Sequence, residues 1–314
     1  MTKSPFSRGK MTSYNYCIIG NGPLGIGLAY LIQRALHQEK IHLFFLGRSG
    51  PAAVKCHLEH KKNPFLVETD APHPNHLTKV DVCFVCVKAF DLKTALSQHL
   101  PFLNPKAVII TLCNGYIEPE LEIIIDDFPG FTWRSGLSTF GVTAHENNLF
   151  SLHSNQGEVL WGPIPTKKGF KRQITHSESL LLESKPHTFS WKDDIRPFLM
   201  KKWLFNAVTN TLSATKNLPC NGQLLKDPGE LKKTFFEVLQ LSEKVWQEKW
   251  QDHTDELYTE LLSIINQTSE NENSMRRDVR LKRKTENSFL AGLSEKYAGF
   301  QTLKKLSHQI ESSL

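Results

Sequence analysis

Short apolar runs alternate with helically spaced stretches through the first half of the chain, and helical spacing takes over in the second. YNYCIIG, residues 14–20, is an apolar run closed by glycine; an amphipathic stretch from Leu24 to Leu36 follows, and then IHLFFLG, residues 41–47. Brief apolar runs between turn signals read as buried strands, and apolar positions three and four apart read as one face of a helix. The order β-turn-α-β opens a doubly wound sheet. Further strand-like runs, VDVCFVCV (80–87) and AVIITLCNG (107–115), with helical or loop material between them, extend it as a parallel α/β sheet. Residues 131–165 read as shorter strands that close the sheet in antiparallel fashion. From Thr166 to Lys192 the chain is polar and basic; Asp193 and Asp194 then stand where they could cap a helix, with Pro197 in its first turn. ELKKTFFEVLQLSEKVWQEKW (230–250) and DELYTELLSIINQ (255–267) continue the helical pattern.

Composition narrows the class. A chain of 314 residues fits two domains, and 39% hydrophobic with 22% charged residues is ordinary for a soluble protein. No apolar run approaches the ~20 residues of a membrane span. No hydrophobic segment follows the early basic residues Lys3, Arg8 and Lys10, so the sequence reads as cytoplasmic. Cys17, Cys56, Cys83, Cys86, Cys113 and Cys220 form no disulfide framework and are expected as free thiols. Cys83 and Cys86 make a C-x-x-C within a strand, where residues three apart face opposite ways, so core filling is expected and no metal. His57, His60, His73 and His76 read as loop histidines. The net charge of +6 is modest and fits a small anionic cofactor or substrate as well as nucleic acid.

Gly20, Asn21, Gly22, Pro23, Leu24 and Gly25 form G-x-G-x-x-G between the first strand and first helix. Its glycines serve a tight turn, close approach of backbone to a pyrophosphate, and close helix-sheet packing, while the helix N-terminus supplies N–H groups to the phosphates. A strand before, a helix after and a second strand beyond make dinucleotide binding the favoured reading. Where that second strand ends, an acid would accept the ribose 2′-OH of NAD, yet the chain has Arg48 and Ser49. Arg48 suits a 2′-phosphate, and NADP(H) is expected. The predicted organisation is thus a flexible extension over 1–13, an α/β Rossmann-type dinucleotide-binding domain over 14–190, and an all-α C-terminal domain over 191–314.

One polar stripe interrupts the apolar helix KKWLFNAVTNTLSA: Lys202, Asn206 and Asn210, each four residues from the next. Positions i, i+4 and i+8 share a helix face, and burying such groups unpartnered costs several kcal/mol each, so the stripe should meet hydrogen-bond partners or a polar ligand in a cleft.

Together the motifs resemble the ketopantoate reductase (2-dehydropantoate 2-reductase) family, from about Tyr16 to about Phe289. The likeness is carried by the glycine turn, Gly47-Arg48, VKAFD, TLCNG, GVTAH with LHSNQGEVLWG, KKWLFNAVTNTLSA, NLPCNGQL and ENSMRRDVRLKRKTE, in that order. The resemblance implies NADPH-dependent reduction of 2-dehydropantoate to pantoate, for pantothenate and coenzyme A synthesis. It implies that Lys88 and Asn114 touch the cofactor, Asn114 near the nicotinamide, and that Ala144 lines the cofactor cleft through its backbone. Lys202 would be the proton donor, with Asn206, Asn210, Asn221, Asn271 and Ser274 around the substrate and Glu286 beside the nicotinamide. The chemistry agrees: a 2-keto acid needs a hydride, a proton at its carbonyl oxygen, and neutral or cationic groups for its carboxylate. Partial burial and the neighbouring Lys201 are expected to bring the Lys202 pKa down towards the working range. Ser274 and Glu286 lie twelve residues apart, about 18 Å along an unbroken helix. Either the helix breaks near Lys284–Thr285, or Glu286 serves the cofactor side while Ser274 serves the substrate; the second is preferred. The chain departs from the family where GFQTLKKL replaces a Thr-Pro-x-Asn turn.

Three readings compete with this one: a reductase of another 2-keto acid, a non-catalytic NADPH-binding protein of the same fold, and a nucleic-acid binder using RRDVRLKRK (276–284). The basic run is expected instead as the exposed face of the helix bearing Ser274. The expected partner is a small 2-keto acid, with no nucleic acid and no membrane, and a homodimer is compatible with the reading.

Overall fold

In the computed structural model, residues 13–60, 63–69, 71–153, 157–164, 173–250 and 253–314 are described; most of the expected N-terminal extension lies outside them. The chain divides into two compact units. The first holds the residues up to Val87, Asp91–Cys113 and Glu120–Ile195; the second gathers Lys88–Phe90, Asn114–Pro119 and Arg196–Leu314.

The first unit opens with β1 (Tyr14–Ile19), α1 (Pro23–Ala35) and β2 (Ile41–Gly47), the elements that the apolar pattern predicts. Three strands then occupy a stretch expected as helix or loop: β3 (Gly50–Ala52), β4 (Val54–His60) and β5 (Asn63–Thr69). After them come a short helix α2 (Pro74–Leu77), β6 (Val82–Val85), α3 (Leu92–His99), β7 (Val108–Thr111), and α4 (Glu118–Asp127), whose first two residues group with the second unit. Next are β8 (Thr132–Ser138), β9 (Val142–Ala144), β10 (Leu149–Leu152), β11 (Val159–Pro163), α5 (His176–Glu183) and β12 (Phe189–Trp191).

The main sheet runs β12-β11-β8-β7-β6-β1-β2-β3, with β2, β1, β6, β7 and β8 mutually parallel. β11 runs antiparallel to β8, but β9 and β10 do not close this sheet as expected. They join β4 and β5 in a separate sheet of order β5-β4-β10-β9. His57 and His60 sit on a strand and His76 lies within α2, so the loop reading is corrected for these three; His73 stays in the loop before α2, where its ring accepts a hydrogen bond from Asn75 N–H.

Strands of a parallel sheet are buried on both faces, and β1, β6 and β7 are nearly continuous in their burial. Cys17 and Cys83 are direct register partners in this core, and burial pushes the Cys17 and Cys86 thiols well above the ordinary range. One charged pair is enclosed with them: Arg134 Nε donates to Glu178 Oε1 at 3.0 Å, with both side chains 0% exposed. The Trp161 indole N–H donates to the same oxygen at 3.2 Å, and Thr175 and Glu178 form a reciprocal capping box on α5.

The second unit is helical: α6 (Arg196–Thr215), α7 (Pro228–Trp246), α8 (Thr254–Gln267), α9 (Ser274–Arg280) and α10 (Gln301–Ser312), with short 3₁₀ turns. Ahead of α6, the Asp193 carboxylate accepts the Trp191 indole N–H at 2.9 Å. Glu237 on α7 accepts hydrogen bonds from the N–H groups of Thr302 and Leu303, at 3.0 and 3.3 Å. Two of the orphan donors at a helix start are satisfied in this way from a neighbouring helix.

Candidate active site

Gly20 lies at φ +104°, in the left-handed region where side chains are disfavoured, and turns the chain out of β1. A Cβ on Gly25 would stand 2.0 Å from the Gly20 carbonyl oxygen, so the turn closes only with glycine there. A Cβ on Gly22 would meet nothing within 4 Å, which leaves that side of the turn open. The α1 N-terminus has no capping side chain and no acid in its first turn. Open backbone, uncapped helix N–H groups and the absence of a repelling carboxylate suit a pyrophosphate.

Arg48 follows directly on β2, and α3 fixes its backbone. The His99 ring donates to the Gly47 carbonyl at 3.1 Å and the Gln98 amide donates to the Arg48 carbonyl at 2.8 Å. Ala144 ends β9, opposite Phe150 of β10.

The second unit assembles the other residues from distant parts of the chain. Lys88 Nζ lies 2.9 Å from Asp278 Oδ2 and 3.2 Å from Glu286 Oε2, and the other Glu286 oxygen accepts the Ala89 N–H at 3.2 Å. Burial by itself would lower the Lys88 pKa, but the charges of Glu286 and Asp278 outweigh it and hold the ammonium above its ordinary range. The Phe289 carbonyl accepts from Tyr116 N–H at 3.0 Å and from the Trp203 indole at 2.9 Å. This one oxygen ties the Asn114 segment and the helix bearing Lys202 to the turn just after Glu286.

Within the stripe, Lys202 and Asn206 are half-buried while Asn210 is 6% exposed. Asn210 Oδ1 accepts from Asn273 Nδ2 at 2.7 Å. Asn273 is also the N-cap of α9, accepting from the N–H groups of Met275 and Arg276, so Ser274 is the first helical residue and lies exposed. Asn221 N–H donates to the Asn271 carbonyl at 3.0 Å and Asn221 Nδ2 to Thr268 Oγ1 at 3.1 Å. Asn221 Oδ1 is buried with no hydrogen-bond partner among the described residues. Such an orphan costs about 1–3 kcal/mol, a cost that a ligand hydroxyl would relieve. Lys201 pairs with Glu260 at 2.9 Å.

α9 ends at Arg280 and Lys282 turns left-handed at φ 52°, so Ser274 and Glu286 are not joined by a continuous helix. The chain breaks ahead of Lys284, and Thr285 Oγ1 then accepts the Asn287 N–H at 3.4 Å. The basic run is only partly an exposed helix face: Arg276 pairs with Glu272, and Lys284 stacks over Phe90 at 4.5 Å. Two participants escaped the sequence reading. Asp278, the one acid inside that run, is a signal that could have been read; Asn273 was hidden between Asn271 and Ser274. Among the described residues no group of three or more His, Cys, Asp or Glu could hold a metal ion, and no helix is long and apolar enough to cross a membrane.

Comparison with known proteins bears on the family and the fold. A 2-dehydropantoate 2-reductase of Yersinia pestis is 26% identical over 219 residues, covering 70% of this chain and 68% of that protein. The fold is shared with D-mandelate dehydrogenase in complex with NADH and anilino(oxo)acetate, at TM-score 0.74 and 16% identity, over 95% of this chain and 98% of that one. A dimeric ketopantoate reductase from Staphylococcus aureus gives 0.72 and 15%, over 95% and 98%. The family described as ketopantoate reductase PanE/ApbA matches residues 16–166, and its C-terminal counterpart matches residues 194–298. With both halves matched in order, the chain belongs to the ketopantoate reductase PanE/ApbA family, oxidoreductases acting on a CH–OH group.

Proposed function

We propose that the chain reduces 2-dehydropantoate to pantoate with NADPH. When bound, the reduced nicotinamide supplies a hydride to the keto carbon. Lys202 gives a proton to the carbonyl oxygen, and its charge steadies the developing alkoxide; the products are the 2-hydroxy acid, NADP⁺ and neutral lysine. Asn206, Asn221, Asn271 and Ser274 hold the substrate's polar groups, and Asn210 contributes through Asn273. Lys88, Asn114 and Glu286 serve the cofactor side of the reacting centre, with Asp278 positioning Lys88. Gly20, Asn21, Gly22, Pro23, Leu24 and Gly25 carry the pyrophosphate, Arg48 the 2′-phosphate, and Ala144 the cofactor through its backbone. A second copy of the chain is the proposed partner, and the cytoplasm the proposed compartment.

The observation that carries this reading is the convergence of the Lys88, Asn114, Lys202 and Glu286 segments through the Glu286 carboxylate and the Phe289 carbonyl. A structural helix bundle has no need of it. The second reading, reduction of another 2-keto acid, is supported by the fold shared with D-mandelate dehydrogenase. A panel of 2-keto acids assayed with NADPH separates them: highest kcat/KM on 2-dehydropantoate supports the first, and turnover confined to other acids supports the second.

A further inference from the structure

The end of β2 carries Arg48 where a dinucleotide fold that prefers NAD places an acid. The fold nevertheless delivers an acid to this point from elsewhere in the chain. Asp91, at the N-cap of α3, puts Oδ2 3.1 Å from the Arg48 guanidinium. Its carboxylate caps no backbone N–H of its own helix, and among the described residues it accepts from Arg48. The backbone behind Arg48 is held against the same helix, where His99 and Gln98 donate to the carbonyls of Gly47 and Arg48. The strand end also abuts the glycine turn, since a Cβ on Gly47 would lie 4.0 Å from the Asn21 amide nitrogen.

We infer that Asp91 is a specificity-determining residue that narrows the preference for NADPH over NADH. Resting on the reading that the β1–α1 turn takes a dinucleotide, the argument follows from charge. A 2′-phosphate has to share the Arg48 guanidinium with Asp91 and meets a second negative charge beside it. A ribose 2′-OH meets no such penalty and finds in the same carboxylate an acceptor. The pair is solvent-facing, with Arg48 90% and Asp91 36% exposed, so the effect is screened. Removing one negative charge a few ångströms from a phosphate in water is then worth roughly three- to tenfold in affinity.

The test is direct binding of NADPH and NADH to the full chain by titration of intrinsic tryptophan fluorescence, for the wild type, Asp91→Asn and Arg48→Ala. Asp91→Asn is expected to tighten NADPH roughly three- to tenfold and to leave NADH unchanged or weaker; Arg48→Ala should weaken NADPH selectively. Binding of both dinucleotides with a Kd ratio unmoved by Asp91→Asn overturns the inference while sparing the dinucleotide reading. Binding of neither to the wild type overturns both. Circular dichroism confirms that each variant is folded, as expected for substitutions at exposed side chains.

Discussion

Lys88→Met removes the cation that two carboxylates share and leaves Glu286, 5% exposed at its side chain, and Asp278, 15% exposed, facing each other's charge. Orphaning a fully buried charge costs about 3–5 kcal/mol, and breaking an exposed pair costs about 0–1. Lys88 is itself 37% exposed, so an intermediate loss of about 2 kcal/mol is expected. For a unit of this size that corresponds to a fall in melting temperature of about 6 °C, read by calorimetry. Adding Glu286→Gln removes the less exposed carboxylate and should restore part of the loss, giving a coupling of about 1 kcal/mol in the double-mutant cycle. Alkaline pH provides an independent check. The Lys88 pKa is raised in the folded state. Its stabilisation is therefore complete below the unfolded value of about 10.4 and fades as pH rises through the folded value. Wild type should lose this increment above about pH 10.4, and Lys88→Met should not. An unchanged melting temperature in Lys88→Met, or zero coupling in the cycle, would refute the reasoning.

Other outcomes follow from the same geometry. Gly25→Ala forces a methyl against the Gly20 carbonyl and should cost about 2 kcal/mol together with dinucleotide binding; tight binding of NADPH by this variant would contradict the described turn. Asn273→Ser keeps the α9 cap but loses the bridge to Asn210, at about 1 kcal/mol, and Asn273→Ala should lose about 1 kcal/mol more in urea unfolding. Glu178→Leu strands the fully buried Arg134 and should cost about 3–5 kcal/mol, of which Arg134→Met/Glu178→Leu should regain part, the Trp161 indole and the α5 capping box still lacking their carboxylate.

What the sequence disclosed depends on distance along the chain. The β1-α1-β2 unit is legible because its period switches from strand to helix and back within residues 14–47, with glycines at the turn. β4 carries the strand period too, in the alternation V-K-C-H-L-E-H. The Lys88–Asp278 pair spans 190 residues and Arg48–Asp91 spans 43, and no local pattern reports contacts of that kind. The polar stripe on α6 was visible as a burial cost. Its resolution was not: Asn210 is satisfied by a helix cap, and only Lys202 and Asn206 keep the half-buried setting that a substrate could use.

The central claim, that Lys202 delivers the proton in an NADPH-dependent reduction, is tested most directly by Lys202→Ala with 2-dehydropantoate, following NADPH oxidation alongside NADPH binding. The account predicts kcat lower by about 10²- to 10⁴-fold with cofactor affinity unchanged. Undiminished turnover in the variant, or a wild type that oxidises NADPH with no 2-keto acid, would contradict it.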